Sequence, residues 1–297
     1  MTPLTTGLLL AAGGSIAFSG KAIIVKLAYR YGVDAVTLIM YRMLFALPLF
    51  LAMVWWATYR SKTPVVPLTR RDGLGILGLG FSGYYLASFL DFYGLQYISA
   101  SLERLILYLN PTLVLLLGWV IYKRRITGRQ AGAMALSYAG VLVVFGQEIS
   151  LAGSHAVLGG VLVLGSAISY AVYLVYSGEI VKRLGSLRLV GWATTVACVL
   201  CIAQFLLLRP LSAALVAPEV LVLSVINAVF CTAAPVVMVM MAIERIGSSL
   251  TAQTGMIGPM STIVMGVLIL DEPFNRWVLL GTVLVVAGVL WVSRQRS

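Results

Sequence analysis

Six charged side chains lie inside long apolar stretches of this sequence. They are Lys21, Lys26, Arg42, Asp91, Glu103 and Arg104. Where such a stretch crosses a lipid bilayer, each charge costs about 2.5–3.5 kcal/mol on insertion scales, so it needs a partner or a function. A carboxylate in that position can bind and release a proton, and a cation can bind a carboxylate or a phosphate. These residues therefore favour the binding of an ion or a small charged solute.

Five of these charges form a predicted gate or coupling site. Glu103 and Arg42 are expected to face a cavity, together with Asp91, Lys26 and Arg104 in the same half of the membrane. For the last three, the alternative is that the side chains extend to the membrane surface. Glu103 and Arg104 are neighbours about 100° apart around a helix, so each needs a partner from another helix or from solvent. Glu103 or Asp91 would be the acid that couples transport to protons.

Lys21 is the deepest of the six charges, about nine residues from the end of its predicted helix. Two interpretations remain open, because it could receive a substrate carboxylate or phosphate, or act as a structural ion-pair partner. The six charges are four cations and two acids. This balance favours an anionic or zwitterionic substrate, such as an amino acid.

Two mid-helix prolines, Pro111 and Pro259, are predicted to kink their helices beside a substrate cavity. Proline removes one backbone hydrogen bond, and the carbonyl groups it frees are tolerated where they line a cavity or are covered by protein. Asn110 shares a face of its helix with Glu103, and Thr254 and Gly258 share a face of the other proline-bearing helix. All of Asn110, Thr254 and Gly258 are predicted to line that cavity. The alternative is that these faces only pack helix against helix.

Four tyrosines, Tyr84, Tyr85, Tyr170 and Tyr173, are predicted to form an aromatic part of the cavity wall. Aromatic rings at such a wall would contact an apolar or a cationic group of the substrate.

The composition of the chain predicts an all-α, polytopic membrane protein. Of 297 residues, 61% are hydrophobic and 10% are charged, whereas soluble proteins carry about 25% charged residues. The formal net charge of +11 is attributed to cytoplasmic loops rather than to nucleic-acid binding. The three cysteines lie in apolar runs and are assigned to packing. The sequence predicts no cofactor, no metal site and no nucleic-acid partner, and the expected partners are a small-molecule substrate, protons and the lipid bilayer.

Ten transmembrane helices are predicted, near residues 4–28, 35–58, 73–94, 99–122, 130–146, 157–177, 187–208, 219–243, 249–270 and 276–292. Loops on the side of the N-terminus, with the C-terminal tail, hold fourteen Lys and Arg residues, and the opposite loops hold three. Because cytoplasmic loops collect such residues, both termini are predicted to be cytoplasmic in a multi-pass protein of the cytoplasmic (inner) membrane.

The chain also repeats itself. Residues 98–144 align without a gap with residues 246–292 after a shift of 148 positions. The predicted units are therefore a five-helix repeat over 1–146, a linker over 147–156 and a second five-helix repeat over 157–297. Five is an odd number, so the second repeat enters the membrane from the opposite side. Inverted repeats of this kind recur in secondary transporters.

These features resemble the EamA-type members of the drug/metabolite transporter superfamily. The resemblance rests on the proline-bearing helices and on the Ala-Gly-Val-Leu segments 139–142 and 287–290 that follow them. Glu272 matches the acidic residue of the second conserved turn, while Arg124 occupies the first. Lys26 and the segment 41–45 resemble family-type positions. The resemblance implies alternating-access transport of small metabolites, often export.

The sequence therefore predicts a secondary active transporter that exports an amino acid or a related zwitterion or anion, by proton coupling or exchange. Two alternatives remain: an uncoupled facilitator or exchanger, and a multidrug exporter of amphipathic cations. A membrane enzyme is disfavoured, because the single histidine, His155, lies in the link between the repeats and acids are sparse.

Overall fold

The computed structural model describes residues 2–59, 66–123 and 125–294, and every regular element within these ranges is helical. Arg124, which stands at the first acidic-turn position of the family resemblance, lies outside the described residues. The helices are α1 (Pro3–Tyr29), α2 (Ala35–Tyr59), α3 (Arg70–Gly80), α4 (Ala87–Gly94), α5 (Ala100–Leu107), α6 (Asn110–Tyr122), α7 (Gly128–Ala152), α8 (Ser154–Leu184), α9 (Ser186–Leu208), α10 (Pro218–Ala228), α11 (Ala234–Thr254), α12 (Ile257–Leu270) and α13 (Arg276–Arg294).

Eight helical stretches are long and apolar enough to cross a membrane. Three of them are composite. A π-helical turn joins α3 to α4 over Phe81–Leu86 and α10 to α11 over Val229–Ala233, and a turn at Tyr108 and Leu109 joins α5 to α6. Two shorter apolar helices, Ile257–Leu270 and Arg276–Trp291, follow the eight. The chain is thus a multi-pass helical membrane protein, and the count of ten spans stays a prediction that requires both short helices to cross.

The sequence repeat reappears as a repeat of backbone irregularities. The two π-turns begin at Phe81 and Val229, which are 148 positions apart. Lys123 and Asp271, also 148 apart, both adopt the left-handed conformation, with φ of 52° and 59°. These two residues end α6 and α12 by allowing each cap N–H to reach back to a helical carbonyl. The two halves therefore share local geometry where their side chains differ.

Helix packing also follows the repeat, because equivalent helices of the two halves make equivalent contacts. Helix α1 of the first half packs on α11 and α12 of the second half. Its counterpart in the second half, α8, packs on the equivalent helices α4 and α6 of the first half. The remaining main contacts join equivalent helices, α2 with α9 and α7 with α13. Such reciprocal pairs are what a pseudo-twofold axis between the halves produces.

Small residues set the closest of these approaches. A side chain added at Gly140 of α7 would place its Cβ 2.6 Å from the carbonyl oxygen of Gly281 in α13. Glycine at this crossing lets the two backbones meet, which is how small residues hold helices together in membranes.

One end of the bundle, called the Glu272 end, collects the loops after α1, α4, α9 and α12. Arg209 Nε lies 3.1 Å from Asp34 Oδ1, and Arg30 donates to the carbonyl oxygen of Leu270 at 3.2 Å. Burial opposes the ionisation of Asp34, but hydrogen bonds from Thr37 and Arg209 outweigh it and hold the pKa of this carboxyl below its usual value. The loops thus hold one another together.

The opposite end, called the Arg188 end, gathers the loops after α2 and α8. Arg188 donates to the carbonyl oxygen of Val66 at 3.0 Å, and Arg183 forms an ion pair with Asp72. Asp72 also completes a capping box with Thr69 at the start of α3. Alternate loops therefore lie at opposite ends, as the predicted order of spans requires.

Two predicted segments differ in detail from the structure. The span predicted over 99–122 is broken at Tyr108 and Leu109 into α5 and α6, because Pro111 cannot donate a backbone hydrogen bond to the preceding turn. The linker over 147–156 is helical except at Gly153, whose φ of 61° separates α7 from α8. Glycine adopts this left-handed conformation without steric cost.

Candidate transport site

Lys21, Asp91 and Glu103 form a buried ion triad at the centre of the candidate site. Lys21 Nζ lies 3.1 Å from Glu103 Oε1 and is also paired with Asp91 Oδ2. The side chains of Glu103 and Asp91 are 0% and 4% exposed. The open question about Lys21 is thereby answered in part, because it is an ion-pair partner of both acids. Asp91 is buried in the triad and does not extend to the membrane surface.

Three different helices supply the triad. Lys21 comes from the middle of α1, Asp91 from α4, and Glu103 from the first turn of α5. Ser99 begins α5 by accepting a hydrogen bond from the backbone N–H of Leu102, which satisfies one donor that the helix start leaves unpaired.

Arg104, the neighbour of Glu103, contacts a different part of α1. Its Nη2 donates to Ser19 Oγ at 3.2 Å, and the Ser19 hydroxyl donates to the carbonyl oxygen of Gly258 at 2.7 Å. A Cβ at Gly258 would lie 2.8 Å from Arg104 Nη2, so only glycine leaves room for this approach. Glu103 and Arg104 therefore both contact α1, a helix other than their own.

Arg42 of α2 lies against the second π-turn. Its Nε donates to Thr232 Oγ1 at 3.1 Å, and its Cζ lies 5.0 Å from the centroid of the Phe92 ring. Lys26 lies five residues beyond Lys21 on α1, nearer the Glu272 end, and is half-buried.

Glu272 has a role that the residue pattern alone did not reveal. Its carboxylate accepts hydrogen bonds from the backbone N–H of Ala100 at 2.6 Å and of Ser101 at 3.2 Å, and from the Ser101 hydroxyl at 2.7 Å. Glu148 of α7 accepts weakly from the N–H of Ser99 at 3.4 Å. Two carboxylates therefore hold the start of α5, the helix that carries Glu103. The only signal in the sequence was the family-type acidic turn at Glu272.

The predicted cavity-lining residues beside the prolines lie near the breaks before α6 and α12. Asn110 Nδ2 donates to the carbonyl oxygen of Leu107 at 2.7 Å, and Pro111 is the next residue of α6. In the second half, Pro259 is buried, and the Thr254 hydroxyl donates to the carbonyl oxygen of Leu250 at 2.9 Å. The Thr254 hydroxyl thus bonds within its own helix, whereas the Asn110 amide bridges α6 and α5 and its Oδ1 has no hydrogen-bond partner among the described residues. Gly258 accepts the hydrogen bond from Ser19 that is described above.

Three of the four predicted tyrosines come together. The Tyr84 and Tyr173 rings meet edge to face with centroids 5.1 Å apart and their hydroxyls 3.4 Å apart, and Tyr170 stacks on Tyr173 at 5.5 Å. Tyr85 packs instead on Phe81, at 5.4 Å. Tyr84 precedes Asp91 by seven residues, so this aromatic group lies about 10 Å from the triad toward the Arg188 end.

Two uncharged polar side chains in the second half were missed by the sequence reasoning. Ser224 and Asn227 are at most 1% exposed, and their side-chain polar atoms have no hydrogen-bond partner among the described residues. Serine, threonine and asparagine are common in apolar helices, so the pattern gave no reason to single them out. The signal that finds them is burial without a partner, which requires the structure.

An open cavity of about 600 Å³ lies between α3 and α8 at the Arg188 end. Its polar lining includes Thr69, Arg71, Asp72, Ser82, Tyr176 and Arg183. None of the triad residues lines it, so it is separate from the buried charges.

Comparisons with known proteins agree with this architecture. The EamA-like transporter family profile matches residues 5–146 and 157–294. The chain is 30% identical over 274 residues to the "Uncharacterized transporter YcbK" of Bacillus subtilis (strain 168), covering 87% of this chain and 83% of that protein. It is 26% identical over 157 residues to an "Uncharacterized transporter" of Archaeoglobus fulgidus, covering 52% of each. One solved crystal structure aligns with a TM-score of 0.63 and 16% identity over 99% of both chains, a likeness that concerns the fold alone.

Proposed function

The chain belongs to the EamA-like transporter family, and we propose that it moves a small zwitterionic or anionic metabolite, such as an amino acid, by alternating access. The observation that carries this proposal is the buried triad of Lys21, Asp91 and Glu103. Buried charges are expensive in a membrane and mark substrate or ion pathways. The triad joins α1, α4 and α5, so any change in its charges acts on three helices at once.

The charge balance around the triad favours a substrate that carries a carboxylate. Lys21, Arg42 and Arg104 supply three positive charges, and Asp91 and Glu103 supply two negative ones. One carboxylate would neutralise the remaining positive charge. A zwitterion is neutral overall, so its carboxylate would pair with one of the cations while its ammonium group competes with Lys21 for the two acids.

Proton coupling is assigned to Glu103, with Asp91 as the second acid. Glu103 Oε2 has no hydrogen-bond partner among the described residues, and Lys21 must be shared with Asp91. When the site opens to one side of the membrane, a proton from that side would neutralise Glu103 and leave Lys21 paired with Asp91 alone. When it opens to the other side, Glu103 would return the proton and bind the substrate ammonium. One position would then hold either a proton or the substrate, which couples the two fluxes.

The charges of the loops give the proposed orientation of the protein, and exchange against entering protons gives the proposed direction of transport. The Arg188 end carries the excess of Lys and Arg, so we assign it to the cytoplasm of a bacterial inner membrane and the Glu272 end to the outside. Proton entry driven by the membrane potential would then export the substrate. Two inverted five-helix repeats, related by the reciprocal packing described above, would supply the two access states.

The experiment that tests this function uses protein reconstituted into liposomes that contain a pH-sensitive dye. A thermal-shift screen against the twenty L-amino acids first identifies ligands, since a bound ligand stabilises the folded state. Each ligand is then added outside, and proton movement is recorded for the wild type, Glu103→Gln and Asp91→Asn. We expect ligand-dependent proton movement that is lost in Glu103→Gln. Full proton-coupled transport in both variants would overturn the coupling assignment.

A second candidate function rests on the aromatic group of Tyr84, Tyr170 and Tyr173. Such rings bind amphipathic cations, and a multidrug exporter would use them. Proton movement driven by an amphipathic quaternary ammonium dye, and by none of the amino acids, would favour that function over the first.

A further inference from the structure

Two buried side chains on α10 leave their hydrogen-bonding groups unused. Asn227 is 1% exposed, and neither its Oδ1 nor its Nδ2 has a partner among the described residues. Ser224, three residues earlier, is 0% exposed, and its Oγ also has no partner there. Residues three apart share one face of a helix. An unmade buried hydrogen bond destabilises a fold, so two on one face call for a ligand or ordered water.

Arg42 reaches the end of the same helix through a chain of two hydrogen bonds. Its Nε donates to Thr232 Oγ1 at 3.1 Å, and the Thr232 hydroxyl donates to the backbone carbonyl oxygen of Asn227 at 2.9 Å. This carbonyl lies five residues before Thr232, at the π-turn. Irregular turns of this kind are frequent at functional sites. The guanidinium is thus linked through Thr232 to the backbone of Asn227, while its Nη1, also buried, has no hydrogen-bond partner among the described residues.

Asp91, a buried acid with one unpaired oxygen, precedes the aromatic residue that Arg42 contacts. Arg42 Cζ is 5.0 Å from the Phe92 ring centroid, and Asp91 immediately precedes Phe92. Asp91 Oδ2 is bound by Lys21, but its Oδ1 has no hydrogen-bond partner in the described parts of the chain. Arg42 of α2 therefore links α10, through Thr232, to the part of α4 that carries the unused Asp91 oxygen.

We propose that Arg42 and Asn227 form the carboxylate-binding subsite of the transported molecule, with Asp91 as the acceptor for its ammonium group. This inference rests on the transport function proposed above. Arg42 Nη1 and Asn227 Nδ2 are two N–H donors for the two oxygens of a carboxylate, and a charge-assisted bond from arginine is the stronger of such contacts. Ser224 Oγ supplies a third donor. The class of ligand is an amino acid whose ammonium and carboxylate groups are a few bonds apart.

The role of Thr232 is to position Arg42. Its hydroxyl is the only described acceptor of the guanidinium Nε, and it is itself fixed by the carbonyl oxygen of Asn227. Thr232→Val keeps the shape and removes the acceptor, so Arg42 would lose its orientation while keeping its charge.

The test measures carboxylate binding without transport. Acetate is the probe, acetamide is its uncharged analogue, and thermal shift of purified protein in detergent is the readout. We expect acetate, and not acetamide, to stabilise the wild type, and Asn227→Leu to weaken acetate binding at least tenfold. We also expect ligand-free Asn227→Leu to be as stable as the wild type or more so, because leucine replaces an amide whose hydrogen bonds are unmade. Thr282→Val, a buried threonine of α13 that bonds its own helix, is the matched control and should bind acetate normally.

Two outcomes overturn the subsite. One is wild-type acetate binding in Asn227→Leu, and the other is equal stabilisation of the wild type by acetate and acetamide. If Asn227→Leu fails to fold, the amide is structural, and Thr232→Val then decides, because normal acetate binding in that variant also overturns the subsite. Failure here is distinguishable from failure of the transport function. A wild-type protein that binds acetate but moves no protons with any amino acid counts against the transport function. Unchanged amino-acid-driven proton movement in Asn227→Leu counts against the subsite alone.

Discussion

Replacing Lys21 by methionine removes the cation shared by two buried acids. Methionine keeps the length of the side chain, so packing changes little while Asp91 and Glu103 lose their common partner. Removing one member of a buried ion pair typically costs about 3–5 kcal/mol, because a charge is left without compensation. Each kcal/mol lowers the melting temperature by about 2–4 °C in a large domain. The expected fall for Lys21→Met is therefore roughly 10 °C.

The assay is thermal unfolding of purified protein in detergent, followed by tryptophan fluorescence at a fixed heating rate. Lys26→Met is the matched control, because Lys26 lies on the same helix, is half-buried and has no ion pair within the described residues. Its expected cost is below about 1 kcal/mol, the range of surface charges. The double variant Lys21→Met with Asp91→Asn should recover part of the loss, because only one acid then remains without a cation. Equal melting temperatures for Lys21→Met and Lys26→Met would refute the view that the triad stabilises this fold.

Three further predictions follow from other contacts. Glu272→Ala removes three hydrogen bonds at the start of α5 and should cost about 0.5–2 kcal/mol, with Glu272→Gln losing less; equal losses by thermal unfolding would argue against the cap. The lowered pKa of Asp34 gives stability that is complete above pH of about 4 and is lost as the pH falls through the folded-state pKa. The melting-temperature gap between wild type and Asp34→Asn should therefore close on acidification, and a constant gap would contradict this. A Cβ at Gly83 would lie 2.5 Å from Tyr173 Cγ, whereas Gly78 faces open space; Gly83→Ala should cost about 1–3 kcal/mol, and Gly78→Ala should be neutral or stabilising.

The architecture could be predicted from the sequence because a membrane restricts it strongly. Apolar stretches of helical length leave few alternatives in lipid, and the 148-residue repeat fixed the relation between the halves. The same offset separates the two π-turns and the left-handed residues Lys123 and Asp271. Those irregularities have no residue signature, since neither Phe81 nor Val229 is unusual in an α-helix.

The charged part of the candidate site was also visible in the sequence, because ions in lipid are rare and costly. Which ions pair was not visible, since Lys21 and Asp91 are 70 residues apart and only packing brings α1 and α4 together. The polar groups of Asn227 and Ser224 were invisible for a different reason. These groups stand out because they are buried without a hydrogen-bond partner, and a sequence pattern does not show whether a side chain has a partner.

The break between α5 and α6 illustrates the limit of the proline rule. Pro111 predicted a kink, and the structure replaces the kink with a separate eight-residue helix, α5. The start of that helix is fixed by Glu272 and Glu148 from distant parts of the chain. Local sequence determines that the backbone bends here, and tertiary contacts determine how far.

Ligand-linked proton exchange tests the coupling role of Glu103 most directly. An amino acid that binds the purified protein is titrated into weakly buffered solution, and the protons released per molecule bound are counted for wild type, Glu103→Gln and Glu148→Gln. Proton release in the wild type and in Glu148→Gln, with none in Glu103→Gln, is the predicted result. Undiminished release from Glu103→Gln would contradict the assignment of Glu103 as the coupling acid.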